Sequence, residues 1–87
     1  MTHAVKTWSL YFVPQEKGDK LFELRKDDRP YNVGDTFLSQ EFDEKRNEYT
    51  GKENSYIITY ILRGKGAEMF GLKEGYCILQ LKEKENY

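Results

Sequence analysis

The chain has little of what usually fixes a small fold or marks its chemistry. It carries one cysteine, Cys77, so no disulfide can close within it and a reducing compartment is its natural setting. It has one histidine, His3, with no Cys or Asp at the spacing of a closed metal site, so neither a metal nor another cofactor is expected. Charge of one sign is also lacking. Lys and Arg number 14 against 15 Asp and Glu, a formal net charge of −1. That balance excludes an overall basic clamp for nucleic acid and leaves only a local patch for any phosphate contact. No apolar run approaches the roughly 18–20 residues of a membrane span. Met1–Lys6 lacks the basic-then-apolar form of a secretory signal. A soluble cytoplasmic domain without a membrane partner is expected, and no repeat or low-complexity tract divides it.

Aromatic residues are plentiful. They make up 15% of the 87 residues, and seven of them are Tyr, which buries a large ring while keeping a polar handle at the rim. A chain this short is one domain over residues 1–87, able to bury about 60–65% of its unfolded surface.

Alternation marks a first strand from His3 to Trp8, with Val5 and Thr7 on one face and Lys6 and Trp8 on the other. Ser9 is placed to cap a helix through Lys17 that Gly18 stops, while Pro14 removes one backbone bond and makes that helix short or bent. A second strand covers Lys20–Lys26, and Pro30 makes residues 27–33 a loop. A third strand runs from Thr36 to Asp43, with Phe37 and Ser39 sharing a face. Residues 44–48 form a hairpin tip. The run Tyr56–Leu62, apolar on both faces, reads as a central strand within Ser55–Arg63. Met69-Phe70-Gly71-Leu72 is expected to plug the following connection onto the core. Tyr76–Leu81 is the last strand, and residues 83–87 read as a frayed charged tail. The order predicts an α+β fold: a small, strongly curved or barrel-like sheet with one helix over it.

The chemistry concentrates between Gly18 and Asp35. Glu23 and Arg25, two apart in an extended chain, share one face with Lys20 at its entrance, and Phe22 and Leu24 lie opposite. These residues, with His3-Ala4-Val5-Lys6, Lys26-Asp27-Asp28-Arg29, Val33-Gly34-Asp35 and Tyr49-Thr50-Gly51, resemble an ASCH domain of the PUA-like superfamily. Thr59–Gly64 and Phe70–Tyr76 extend the likeness along nearly the whole chain, in the right order. The likeness is closest to a small bacterial and phage subgroup without a settled function.

The resemblance implies a PUA-like β-barrel of five or six strands, with a short N-terminal helix and a helical turn near residues 67–72. The family signature is Gly, any residue, Lys, two residues, Glu, any residue, Arg, and Gly18, Lys20, Glu23 and Arg25 satisfy it. In the family it lines a cleft taken to bind RNA or modified nucleosides, which makes RNA or a nucleotide the expected partner. Some members are amidohydrolases acting on acetylcytidine. They share the lysine at Lys20 but carry Thr where this chain has Glu23, so a nucleophilic hydroxyl is missing there.

Sharp and plain readings stand side by side. Lys6, Trp8, Lys20, Glu23, Arg25 and Arg29 could line a binding cleft, with Arg as a planar fork and Trp8 as a stacking platform. In this reading Glu23 orients Arg25 or accepts a proton from a base's amino group. Alternatively Lys20, Glu23 and Arg25 form an exposed face of ion pairs worth under about 1 kcal/mol, and Trp8 is core rim. As an amidohydrolase the chain would rely on Lys20, Glu23 and Glu74. As a protein-interaction module it would need none of these. Tyr11 and Phe12 read as core, Tyr49 and Thr50 as cleft rim or a turn at Gly51, His3 as structural and Cys77 as buried packing.

Overall fold

Two strands with polar and apolar residues in strict alternation, and a third that is apolar throughout, make a sheet the dominant element. A computed structural model describes residues 1–84. The order is β1 (Thr2–Trp8), α1 (Ser9–Glu16), β2 (Phe22–Lys26), β3 (Thr36–Asp43), β4 (Glu48–Leu62), α2 (Lys65–Met69) and β5 (Tyr76–Glu83). The five strands form one sheet in the order β1-β3-β4-β5-β2, with β4 in the middle. β1 runs parallel to β3, with Val5 opposite Ser39, and every other pairing is antiparallel. α1, β2 and the following loop make the crossover between the parallel pair.

β1 and β2 are the two edges, and the sheet curls until they approach one another. Arg25 Nη1 donates to the Lys6 carbonyl at 3.3 Å, and Arg29 Nη1 to the Ala4 carbonyl at 3.1 Å. Both acceptors lie on β1, two residues apart, and among the described residues no strand pairs with that edge. The result is an α+β, barrel-like sheet with an open seam bridged by side chains.

His3, Val5 and Thr7 on β1 and Phe37, Ser39 and Glu41 on β3 point inward. Val5, Phe37, Tyr56, Ile58, Leu79 and Leu81 form the apolar core, with Cys77 and Tyr31 beside them. Phe12 of α1 is also fully buried. Burial of a ring of that size contributes about 1.5–3 kcal/mol. Cys77 is wholly enclosed, and burial pushes its thiol up to about 11, so it packs and does not react.

Several expectations are corrected. Ser9 does not cap α1: it is the first helical residue, and its hydroxyl donates to the Phe42 carbonyl at 3.4 Å. Tyr11 is not core, because a two-turn helix buries one narrow stripe and Phe12 and Gln15 occupy it. β4 begins at Glu48, so Thr50 and Gly51 lie within a strand, where the Thr50 hydroxyl donates to Glu41 Oε1 at 2.8 Å. Met69 and Phe70 do not plug the core. Ala67 turns toward the sheet, which leaves Met69 and Phe70 85% and 95% exposed. Glu83 ends β5, and the Lys84 amide donates to the Ser55 carbonyl, so neither is frayed; residues 85–87 lie outside the described range. Among the described residues no helix is long and apolar enough to cross a membrane.

Candidate nucleotide cleft

The short β2 inverts the usual rule for a half-buried strand. Its apolar residues Phe22 and Leu24 are exposed, while Glu23 is only 5% exposed. A buried carboxylate is tolerated only when donors reach it, and α1 together with the turn after it supplies two. Gln15 Nε2 donates to Glu23 Oε1 at 2.9 Å and Lys20 Nζ to the same oxygen at 3.0 Å. Lys20 Nζ also donates to the Phe22 carbonyl at 2.8 Å.

Gly18 makes this possible. Its φ of +84° turns the chain sharply at the end of α1, and the Asp19 and Lys20 amides fold back onto the Pro14 carbonyl at 3.0 and 3.1 Å. The Tyr56 hydroxyl donates to the Gln15 carbonyl at 3.3 Å and ties the helix end to the central strand. Gln15 Oε1 is buried without a partner among the described residues.

Where the sheet's seam opens beside α1 lies a cleft of about 240 Å³, lined by Lys6, Thr7, Trp8, Tyr11, Glu23, Leu24 and Arg25. Trp8 and Tyr11 stand at its rim, 49% and 47% exposed. Lys6 Nζ lies 4.1 Å from the centre of the Phe42 ring, so this cation rests on an aromatic face and has no carboxylate partner among the described residues. The Arg25 fork donates to the Lys6 carbonyl at 3.3 Å and reaches the Tyr31 hydroxyl as well. Thr7 brings a buried hydroxyl that accepts from Ser39 Oγ at 2.7 Å, leaving its own proton to donate.

A protein-family model described as "Domain of unknown function (DUF3850)" matches residues 2–81. The chain belongs to the DUF3850 family. No curated protein matches it.

In this DUF3850 domain four of the six residues read from the sequence as ligand contacts, Lys6, Trp8, Glu23 and Arg25, line the one cleft. Lys20 stands behind it, bound to Glu23 and 5.6 Å from the Tyr11 ring centre. Arg29 serves the β1 edge instead, through the Ala4 carbonyl. Glu74 is exposed on the loop between α2 and β5 and does not line the cleft. Glu23 takes its donors from Gln15 and Lys20, so it does not orient Arg25.

Thr7, Tyr11, Gln15 and Leu24 are the residues sequence reasoning missed. Spacing held part of the signal: Tyr11 and Gln15 are four apart on a helix, and Thr7 sits between two residues already singled out.

A second polar centre sits at the start of β1 and β3. His3 Nε2 and Asp35 Oδ2 are 2.8 Å apart, the Met1 ammonium donates to Asp35 Oδ1 at 3.2 Å, and the Asn32 amide donates to Oδ2 at 3.0 Å. The His3 bond, with help from Asn32 and the N-terminus, holds the Asp35 carboxyl below its ordinary value against the opposing effect of burial. Tyr31 packs its ring against His3, tilted by 55° with the ring centres 4.7 Å apart. Its phenol is pushed upward by burial, against the pull of Arg25. This centre ties the start of β1 to the start of β3.

Proposed function

We propose that this DUF3850 domain is an ASCH-like member of the PUA-like superfamily that binds a nucleotide, or one nucleotide of a short RNA strand, in the β1–β2 cleft. The observation that carries the reading is the meeting of Lys6, Trp8, Tyr11, Glu23 and Arg25 around one opening of about 240 Å³. That volume is just below the ~300–1,000 Å³ of ordinary small-molecule sites, which suits a single base and not a run of them. Trp8 and Tyr11 stack the base, and Lys6 and Arg25 meet phosphate. Both protein donors to Glu23 fall on Oε1, so Oε2 is the acceptor for an exocyclic amino group and Thr7 the neighbouring donor. Adenine, cytosine and guanine nucleotides are therefore preferred over uracil. A reducing cytoplasm suits a chain with one enclosed thiol.

Binding is favoured over hydrolysis. Lys20 acts as a donor to Glu23 and to the Phe22 carbonyl, not as a base, and Glu74 stands apart from it.

Trp8 is the only tryptophan, so its fluorescence reports the cleft directly. Titration with the four nucleoside monophosphates at low salt is expected to give saturable quenching, weakest for the uracil nucleotide. Arg25→Ala should weaken binding about tenfold or more, a hydrogen bond to a charged group being worth about 1.5–3 kcal/mol. Absence of saturable quenching with all four would sink the proposal.

A further inference from the structure

The outer face of β2, β5 and β4 is apolar where a solvated strand face is ordinarily polar. The strand register places Phe22 beside Gln80 and Tyr60, and Leu24 beside Ile78 and Leu62, so these side chains form a continuous grid. At its side α2 and the loop after it raise Phe70 almost fully into solvent, and a hollow of about 960 Å³ lies between that wall and the grid. The face therefore holds both an apolar knob, Met69-Phe70, and an apolar hollow. From the exposed fractions of Phe22, Leu24, Tyr60, Leu62, Met69 and Phe70, it presents on the order of 700 Å², at ~150–250 Å² for a full aromatic side chain. Single patches on monomers usually reach about 300–600 Å². One partner in a stable interface contributes about 800 Å².

We infer that this face is a homodimer interface, in which Phe70 of each copy enters the hollow beside Leu24, Tyr60 and Leu62 of the other across a two-fold axis. A knob and a hole on one surface satisfy the self-complementarity that a two-fold contact demands. Charge permits it. Of the residues lining the hollow Arg63 and Lys73 carry charge, and Arg63 is neutralised by Asp27 at 3.1 Å while Lys73 Nζ lies 5.2 Å from the Tyr76 ring centre. Leu24 lines both this hollow and the β1–β2 cleft, so the two clefts of the dimer flank its seam.

Sedimentation equilibrium of the full chain over a dilution series from millimolar to low micromolar tests the inference. The expected result is a reversible rise from 10.4 kDa to twice that mass. Phe70→Glu should abolish the rise, and circular dichroism should show its fold intact, because Phe70 makes no core contact. Leu10→Ser, which removes an exposed apolar side chain on α1, should leave the dimer unchanged. A chain that stays at 10.4 kDa throughout overturns the inference, and so does a dimer that Phe70→Glu leaves intact.

Discussion

Glu23 is the residue on which the polar side of the interior depends. Its carboxylate is held by Gln15 and Lys20, and Lys20 itself keeps only a small exposed surface. Removing one partner of a buried pair strands the other, at about 3–5 kcal/mol for a fully enclosed pair. Lys20→Ala should cost less, about 2–3 kcal/mol in urea unfolding, because Gln15 still donates to Glu23 and water can reach the vacated position. A loss below about 0.5 kcal/mol would mean that the pair is a solvated surface contact after all. Asp35 gives the second residue-scale prediction. Its folded pKa lies below the ordinary 3.8, chiefly through His3, so the ionised carboxylate stabilises the fold at every pH above that value. The contribution disappears as pH falls through the depressed folded value. Asp35→Asn should lower the melting temperature near neutral pH and flatten its fall as the pH drops below the ordinary 3.8, read by thermal scans down the acid limb. A parallel acid limb in wild type and variant would remove Asp35 from the acid response.

Among the elements, the connection from α1 to β2 decides where the cleft residues stand. Gly18 occupies the left-handed region at φ +84°, and an added Cβ would meet only Glu83 Oε1 at an ordinary 3.7 Å. The cost of Gly18→Ala is then backbone strain of about 1–2 kcal/mol, with no clash to add to it. Gly66 in α2 has ordinary helical space around it, so Gly66→Ala should instead gain about 0.4–1 kcal/mol. Chemical denaturation of the pair tests the sign of both. β1 and β3 were legible in the sequence because their alternation matches their burial. The facing of β2 was not. Phe22-Glu23-Leu24-Arg25 alternates cleanly, but a period of two does not say which face is inside, and here the deciding contact comes from Gln15 on another element. The His3–Asp35 contact was hidden for a similar reason, since its partners are 32 residues apart and meet only through the parallel pairing of β1 with β3. Lys6, Trp8, Glu23 and Arg25 could be named as candidates from residue type, and Glu23 and Arg25 also from their spacing on one strand. That Arg29 and Glu74 stand apart from them depends on loop geometry, which spacing does not encode.

At the scale of the whole molecule, balanced charge bounds how nucleic acid can be held. With a net charge of −1 there is no general attraction to a polyanion, so on the proposed reading affinity rests on the few cations at the cleft. Lys20, behind the cleft, is already neutralised by Glu23, which on that reading leaves Lys6 and Arg25 to meet phosphate. Each phosphate neutralised on a single strand contributes about −0.7 to the slope of log K against log salt. Two contacts therefore predict a slope between about −1 and −2 for a short single-stranded RNA, measured by fluorescence anisotropy over a salt series. Lys6→Ala and Arg25→Ala should each make the slope shallower by about 0.7, and lengthening the strand beyond a few nucleotides should leave it unchanged. A slope steeper than about −4 would require about six or more phosphates on the protein, and so a second basic surface beyond the cleft. Growth of the slope with strand length at fixed protein concentration would point to RNA running along the two clefts of a dimer. Repeating the series with Phe70→Glu separates these cases, because a monomer offers a strand of any length one cleft with its two cations, Lys6 and Arg25.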